Sequence, residues 1–408
     1  MRGPEEAARW LCTAEAVRER CHAMLALAGD GSLDHFAYRP ERLGAAADQV
    51  VAVTRAAYPG LEIPFHSRWR HFGVGGHDRW AGLAQSLPSD GDARARVRFD
   101  LAITSVLLDA GAGDTWRYVE PGTNETYRRS EGLAVASFHA FAAGLFADSG
   151  AEPLRADAAA LEALGEDDLA ASFQAGPNNP LAGLAGRAGL MRDLGAALRA
   201  HPDLFGKAPR LGNLFDVLRG RAQDGAIAAP RILKAVLDGL GGIWPGRIEM
   251  GGRSLGDVWR HPAIRADDET HALVPFHKLS QWLTYSLIEP LQEAGVTVTD
   301  VDGLTGLAEY RNGGLFVDLG VIAPKHTHVL EDEHTPGSEI VVEWRALTVA
   351  LLDKLAVEVR ERLGLDAAAL PLAKVLEGGT WAAGRQIAAE RRPGGGPPIR
   401  VASDGTLF

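Results

Sequence analysis

The stretch Leu347-Thr348-Val349-Ala350-Leu351-Leu352-Asp353-Lys354-Leu355-Ala356-Val357-Glu358-Val359, lying between Ser338 and Gly364, repeats apolar side chains three and four residues apart. That spacing lines one face of an α-helix packed on one side. Ser338, after Pro336-Gly337, suits a helix N-cap, and Gly364 suits a stop, so the pattern predicts a helix over 338–364. Working outward, the Ala-, Leu-, Arg- and Glu-rich stretch 154–200 repeats the spacing. Gly132 to Phe146 is apolar on every side and rich in small residues, as expected of a helix enclosed by neighbours. Strand candidates are short: Val296-Thr297-Val298-Thr299 and Leu315-Phe316-Val317-Asp318-Leu319, where periodicity cannot separate strand from helix. The expectation is a mainly α protein with a few short strands at most.

The 408 residues are 46% hydrophobic, enough for one large core or two ordinary ones. Composition near 150–180 does not fall to linker values, so one compact helical unit over 1–408 is expected, with 1–170 and 171–408 as its natural subdivision. A formal charge of -11 without clustered cations argues against nucleic acid or anionic membrane as partner. Cys12 and Cys21 are too few for a disulfide framework or a structural zinc site. With acids where a signal peptide needs an apolar core, and no apolar run near the ~20 residues of a membrane span, a cytoplasmic location is expected. The charged segment 322–338, lacking an apolar period, reads as an exposed or mobile connection, and Arg392 to Pro398 as a loop.

Two adjoining segments carry the strongest chemistry. In Phe276-His277-Lys278-Leu279-Ser280-Gln281-Trp282, a helix puts Lys278, Gln281, Tyr285 and Glu289 on one face, opposite Phe276, Leu279, Leu283 and Leu287. The plainer alternative is a solvated face. Asp302 opens the second segment, which runs to Ala308-Glu309-Tyr310-Arg311 and combines anion, phenol and guanidinium ahead of Asn312-Gly313-Gly314. Those glycines suit positive φ or close backbone approach, and the alternative for Glu309 and Arg311 is a structural ion pair. Arg68-Trp69-Arg70-His71 interleaves cations with aromatics, as suits a small anionic or planar ligand, or equally a structural surface. Asp109, Trp116 and Glu131 belong to a Gly-containing cluster that lacks the Lys-Ser or Lys-Thr of a phosphate loop. Gly73 to His77 and Gly239 to Gly242 fail the dinucleotide fingerprint, so no cofactor is expected. His326, His328 and His334 fit no standard metal spacing, and no metal is expected either.

Together with Leu376-Glu377-Gly378-Gly379-Thr380-Trp381 and the closing Ser403 to Phe408, these segments resemble, over nearly the whole chain, a family of bacterial and fungal proteins tied to uracil catabolism. The core from Phe276 to Arg345 more distantly resembles the queuosine-phosphate N-glycosidases, whose helical bodies are like helix-hairpin-helix DNA glycosylases. Lys278 and Gln281 match that group's Lys-x-x-Gln, and Ala308-Glu309-Tyr310-Arg311 matches its Ala-Asp-Tyr-Arg, with glutamate replacing the catalytic aspartate. Glu343 and Arg345 match a following Glu-x-Arg, and Glu377 and Trp381 match an acidic and an aromatic position.

The resemblance implies hydrolysis of an N-ribosidic bond in ribosylurea or its 5′-phosphate, a small nucleoside- or nucleotide-derived substrate. Glu309 is then expected beside the sugar carbon, stabilising its charge or orienting the attacking water, and Lys278 is expected either to hold Glu309 ionised or to help protonate the departing urea nitrogen. Tyr310, Trp116 and Trp381 are expected to shape the site, and Arg68, Arg70, Arg311 and Arg345 to recognise phosphate or sugar hydroxyls. Trp69, His71, Asp109, Glu131, Asp302, Glu343 and Glu377 complete the expected binding set. An amide hydrolase acting on a ureido compound, and a non-enzymatic accessory protein, are the rival readings. Oligomeric state is not encoded in any of these patterns.

Overall fold

Ser338 starts the longest helix, Glu339–Leu363, by accepting the Val341 amide at 3.4 Å, and Gly364 ends it in the left-handed region at φ 71°. In the computed structural model of the chain, which describes residues 2–148, 150–244 and 248–402, this helix is buried on almost every side from Val341 to Leu352. The closing run 403–408 lies outside the described residues. Helices dominate, and strands of two or three residues join only in pairs among the described residues, so the chain is mainly α. No described helix is long and apolar enough to cross a membrane.

The described residues form two compact units: one of 2–66, 248–281 and 300–402, the other of 67–148, 150–244 and 282–299. In the first, Glu339–Leu363 packs against the helices Ala14–Gly29 and Leu43–Ala57. Asp353 on the long helix receives Arg18 Nε at 2.9 Å and His22 Nε2 at 2.8 Å. Gly306 gives room to the same helix, since a Cβ there would lie 2.6 Å from Leu352 Cδ1.

A buried ion pair organises this unit's centre. Arg345 Nη1 and Nη2 donate to the two oxygens of Asp257, each at 2.8 Å, with both side chains almost wholly enclosed. Burial alone raises a carboxyl, yet the Arg345 charge and the bonds from Arg345, Trp259 and the Lys278 amide hold Asp257 below the ordinary carboxylate range. Lys278 N donates to Asp257 Oδ2 at 3.0 Å, so the pair caps the start of helix Lys278–Glu293. Arg345 Nε reaches the Ala308 carbonyl at 3.4 Å, and the guanidinium lies 4.1 Å from the Phe276 ring centre.

In the second unit, helix Arg129–Ala142 is buried from Gly132 to Phe138, as its all-round apolar sequence leads one to expect. Thr297–Thr299 forms a strand, parallel to Ala226–Ala228. Arg79 and Glu120 form a buried two-pronged pair at 2.6 Å on each arm.

Three local expectations change. Leu315 to Leu319 completes helix Tyr310–Asp318, because Glu309 caps it and Leu315 and Phe316 are buried. Segment 322–338 is mostly exposed, as its charge implies, but its backbone is tied in by pairing: Ile322–Pro324 runs antiparallel to Phe36–Tyr38, and Glu333–His334 parallel to Arg400–Val401. Those bonds leave no side-chain period. The polar face of Lys278–Glu293 is not solvated, since Gln281 and Tyr285 are buried.

Arg345→Met should cost about 3–5 kcal/mol in urea unfolding, since it leaves Asp257 buried and unpaired. Adding Asp257→Leu should recover part of that loss. Strictly additive losses in the double variant would show that the pair is not coupled as described.

Candidate active site

The irregular segment Thr305 to Ala308 leads into helix Tyr310–Asp318, whose N-cap is Glu309 in extended backbone. Its two oxygens accept separate amides, Arg311 N at 2.8 Å and Asn312 N at 2.6 Å. Shorter Asp, Ser and Thr are the usual caps, so the glutamate's extra methylene sets its carboxylate further from its own backbone. A carboxylate has about four acceptor directions, and two amides do not exhaust them. Burial pushes the Glu309 carboxyl up, against the pull of the two amides and of the Lys278 and His66 charges.

Gln281 brings the Lys278 turn to the segment leading into Glu309. Its Oε1 accepts Thr305 N at 2.8 Å and its Nε2 donates to Thr305 Oγ1 at 2.6 Å, both bonds buried. With Arg345 on Ala308 O, two independent ties hold the Lys-x-x-Gln and Ala-Glu-Tyr-Arg segments in one neighbourhood. Lys278 is half-buried there.

A third segment completes the site. Residues Leu376–Thr380 form one wide π-helical turn leading into helix Trp381–Arg391, a local form that recurs at functional positions. Glu377 in this turn accepts His66 Nδ1–H at 2.8 Å on Oε2 and the Tyr58 hydroxyl at 3.2 Å on Oε1. Gly379 permits the turn to lie on helix Leu43–Ala57, because a Cβ there would meet Val50 O at 2.6 Å. Thr380 Oγ1 donates to Asn312 Oδ1 at 2.8 Å, tying the turn to the first turn after Glu309. The Trp381 indole lies 6.5 Å from the His66 ring, centre to centre.

Lys278, Glu309, Glu377 and Trp381 are thus gathered in one unit. Tyr310, half-buried, begins the capped helix, and the Arg311 guanidinium lies 4.9 Å from its ring centre. Arg311 Nη1 donates to Gly395 O at 2.7 Å, so Glu309 and Arg311 serve different partners. Gly313 serves close approach to Trp344, where a Cβ would lie 2.6 Å from Nε1. Arg345 belongs to the Asp257 pair, and Glu343 is buried with His261 Nε2 at 3.4 Å. Asp302 accepts Arg360 Nη2 and Leu372 N, each at 2.6 Å.

The remaining expected residues cluster in the other unit. Arg68 is fully buried, donating to Ser105 Oγ at 2.6 Å and Asp109 Oδ2 at 2.8 Å, while Ser130 also donates to Asp109. Trp69 Nε1 donates to Ser286 O at 2.8 Å, and Arg70 to Glu289 at 2.6 Å. His71 sits edge-on to Trp282 at 5.6 Å. Trp116 is core, its Nε1 donating to Phe173 O at 3.0 Å, and Glu131 lies in the first turn of Arg129–Ala142. Among the described residues no group of three or more His, Cys, Asp or Glu is arranged to hold a metal ion.

Sequence reasoning missed His66, Tyr58, Asn312 and Thr380. Asn312 and Thr380 lie inside the motif segments without being given a role, and for His66 the visible signal is a polar residue after an apolar run, Ile63-Pro64-Phe65-His66, which periodicity does not score.

The chain belongs to the family described as protein of unknown function DUF1688, whose model matches residues 10–408. It is similar to protein urg3 of Schizosaccharomyces pombe, 41% identical over 412 residues and 98% of each chain. It is also similar to uracil catabolism protein 4 of Lachancea kluyveri, 38% identical over 414 residues and 93% of each chain.

The raised Glu309 carboxyl has a stability signature. From the ordinary glutamate value of about 4.3 up to its raised folded value, the native state keeps a proton that the unfolded chain has released, so stability falls as pH rises. The stability of the wild type minus that of Glu309→Gln should therefore decline as pH rises through that window in urea titrations. A flat difference would show that Glu309 is not raised.

Proposed function

We propose that this member of the family acts in uracil catabolism, as its Lachancea kluyveri relative is named, by hydrolysing the N-ribosidic bond of ribosylurea or its 5′-phosphate and releasing urea. The observation that carries the reading is the Glu309 carboxylate, fixed by two amides and under the charge of Lys278. Splitting the bond develops positive charge on the sugar carbon, which a fixed carboxylate stabilises more in the transition state than in the ground state. At an effective dielectric near 20, a unit charge about 4 Å away contributes roughly 4 kcal/mol, or about a thousandfold in rate. Burial that raises the Glu309 carboxyl also makes it the better base toward the attacking water.

The two amides and, after them, the Lys278 charge oppose the burial that raises Glu309, and the ties through Gln281 and Arg345 hold the carboxylate in place without solvent reorganisation. Trp381, near His66, and Tyr310, next to Glu309 in the chain, are the aromatic surfaces proposed to receive the sugar and the ureido group. No metal enters this scheme: the acid and base are side chains.

Chelator-treated protein should release urea from ribosylurea or its 5′-phosphate, and Glu309→Gln, folded, should lower kcat/KM about a thousandfold. Urea assayed enzymatically checks both. Binding of either compound without turnover would favour an accessory protein. Turnover of a ureido amide that survives Glu309→Gln would favour an amide hydrolase.

A further inference from the structure

A glycosidase of this kind needs two proton-handling groups. Glu309 takes up the proton of water, and a second group must deliver one to the departing nitrogen, because a urea anion is too basic to leave unaided. An ammonium of ordinary pKa near 10.4 is a weak donor at neutral pH, whereas an imidazolium near 6.5 is well matched. The structure places one imidazole in the right company. His66 is buried, with 7% of its side chain exposed, and its Nδ1–H is committed to Glu377 at 2.8 Å. That bond fixes the tautomer and ring orientation, so proton exchange takes place at Nε2. Glu377 is itself steadied by Tyr58 and by the wide turn that Thr380 ties to Asn312, the residue whose amide holds Glu309. The His66 amide donates to Ala373 O at 2.9 Å, anchoring the ring from its own backbone.

Resting on the N-glycosidase reading, we propose that His66 is the general acid, protonating the urea nitrogen through Nε2 as the bond to the sugar carbon breaks, with Glu377 as its positioning residue. The C–N bonding pair goes to nitrogen, which takes the Nε2 proton. Water adds to the sugar carbon and gives its proton to Glu309. Proton return from Glu309 to His66 resets the site, so ribosylurea and water become ribose and urea with no redox partner. The charged and titratable groups tied to His66 are Glu377 by its hydrogen bond, Tyr58 through Glu377, and Glu309 by its electrostatic influence, with Lys374 on the helix whose Ala373 carbonyl holds the His66 amide. The Coulomb influence of His66 on Glu309 agrees with their sharing one site.

The test compares ribosylurea with p-nitrophenyl riboside, whose leaving group departs as a stable anion. His66→Gln should lower kcat/KM on ribosylurea by about 10²–10⁴ but by about tenfold or less on the nitrophenyl compound. The alkaline limb of the wild-type pH profile on ribosylurea should vanish in the same variant. Glu377→Gln, which keeps the shape and removes the charge favouring the imidazolium, should retain more activity and move that limb to lower pH. Circular dichroism and thermal melting establish that each variant folds. If His66→Gln does not fold, the Glu377→Gln limb decides the matter. Equal losses on both substrates, or an alkaline limb unmoved by Glu377→Gln, would overturn the assignment while leaving the glycosidase intact. Wild type inactive on both compounds would overturn the glycosidase reading, and this assignment with it.

Discussion

The buried Asp257–Arg345 pair is the constraint from which the candidate site is built. Its carboxylate fixes the first turn of helix Lys278–Glu293, and its guanidinium reaches the carbonyl just before Glu309. Two enclosed charges are costly to bury, and such a pair commonly adds little net stability compared with apolar residues of the same shape. What it contributes here is geometry. Two further bonds of the pair, from the Lys278 amide to Asp257 and from Arg345 to the Ala308 carbonyl, set the Lys278 and Glu309 segments relative to each other, and Gln281 on Thr305 repeats the tie.

Glu309 carries a structural role, and the proposed chemical one would share its side chain. As N-cap it satisfies two amides that the start of any helix leaves open, and it lies at the positive end of the helix dipole. Both effects favour the anion. Burial acts the other way and wins, leaving the carboxyl raised. The proposed base would draw on that burial, because a raised carboxyl takes up a proton more readily. A glutamate in this capping position carries its charge about one bond length further from its own backbone than an aspartate would.

Much of the architecture was legible in the chain, because helix periodicity and caps are local. Ser338, Gly364 and the Leu347–Val359 stripe act as their types require. Failures came where partners are distant. Gln281 and Tyr285 look like a solvent face only if nothing polar covers them, and for Gln281 the cover is Thr305, 24 residues on. Leu315 to Leu319 is too short for its period to decide, and the cap that settles it is a glutamate, an uncommon choice.

By itself the sequence determined the helical class, the ends of the long helix and the two motif segments, all set by neighbours within a few residues. Tertiary structure decided which polar residues meet. Glu377 joins His66 across 311 positions because a π turn containing two close-packed glycines carries it there. It also decided that Arg68, Arg311, Arg345 and Asp302 bind parts of their own chain. A buried charge must find a partner wherever the fold supplies one, and spacing along the chain does not record where that is.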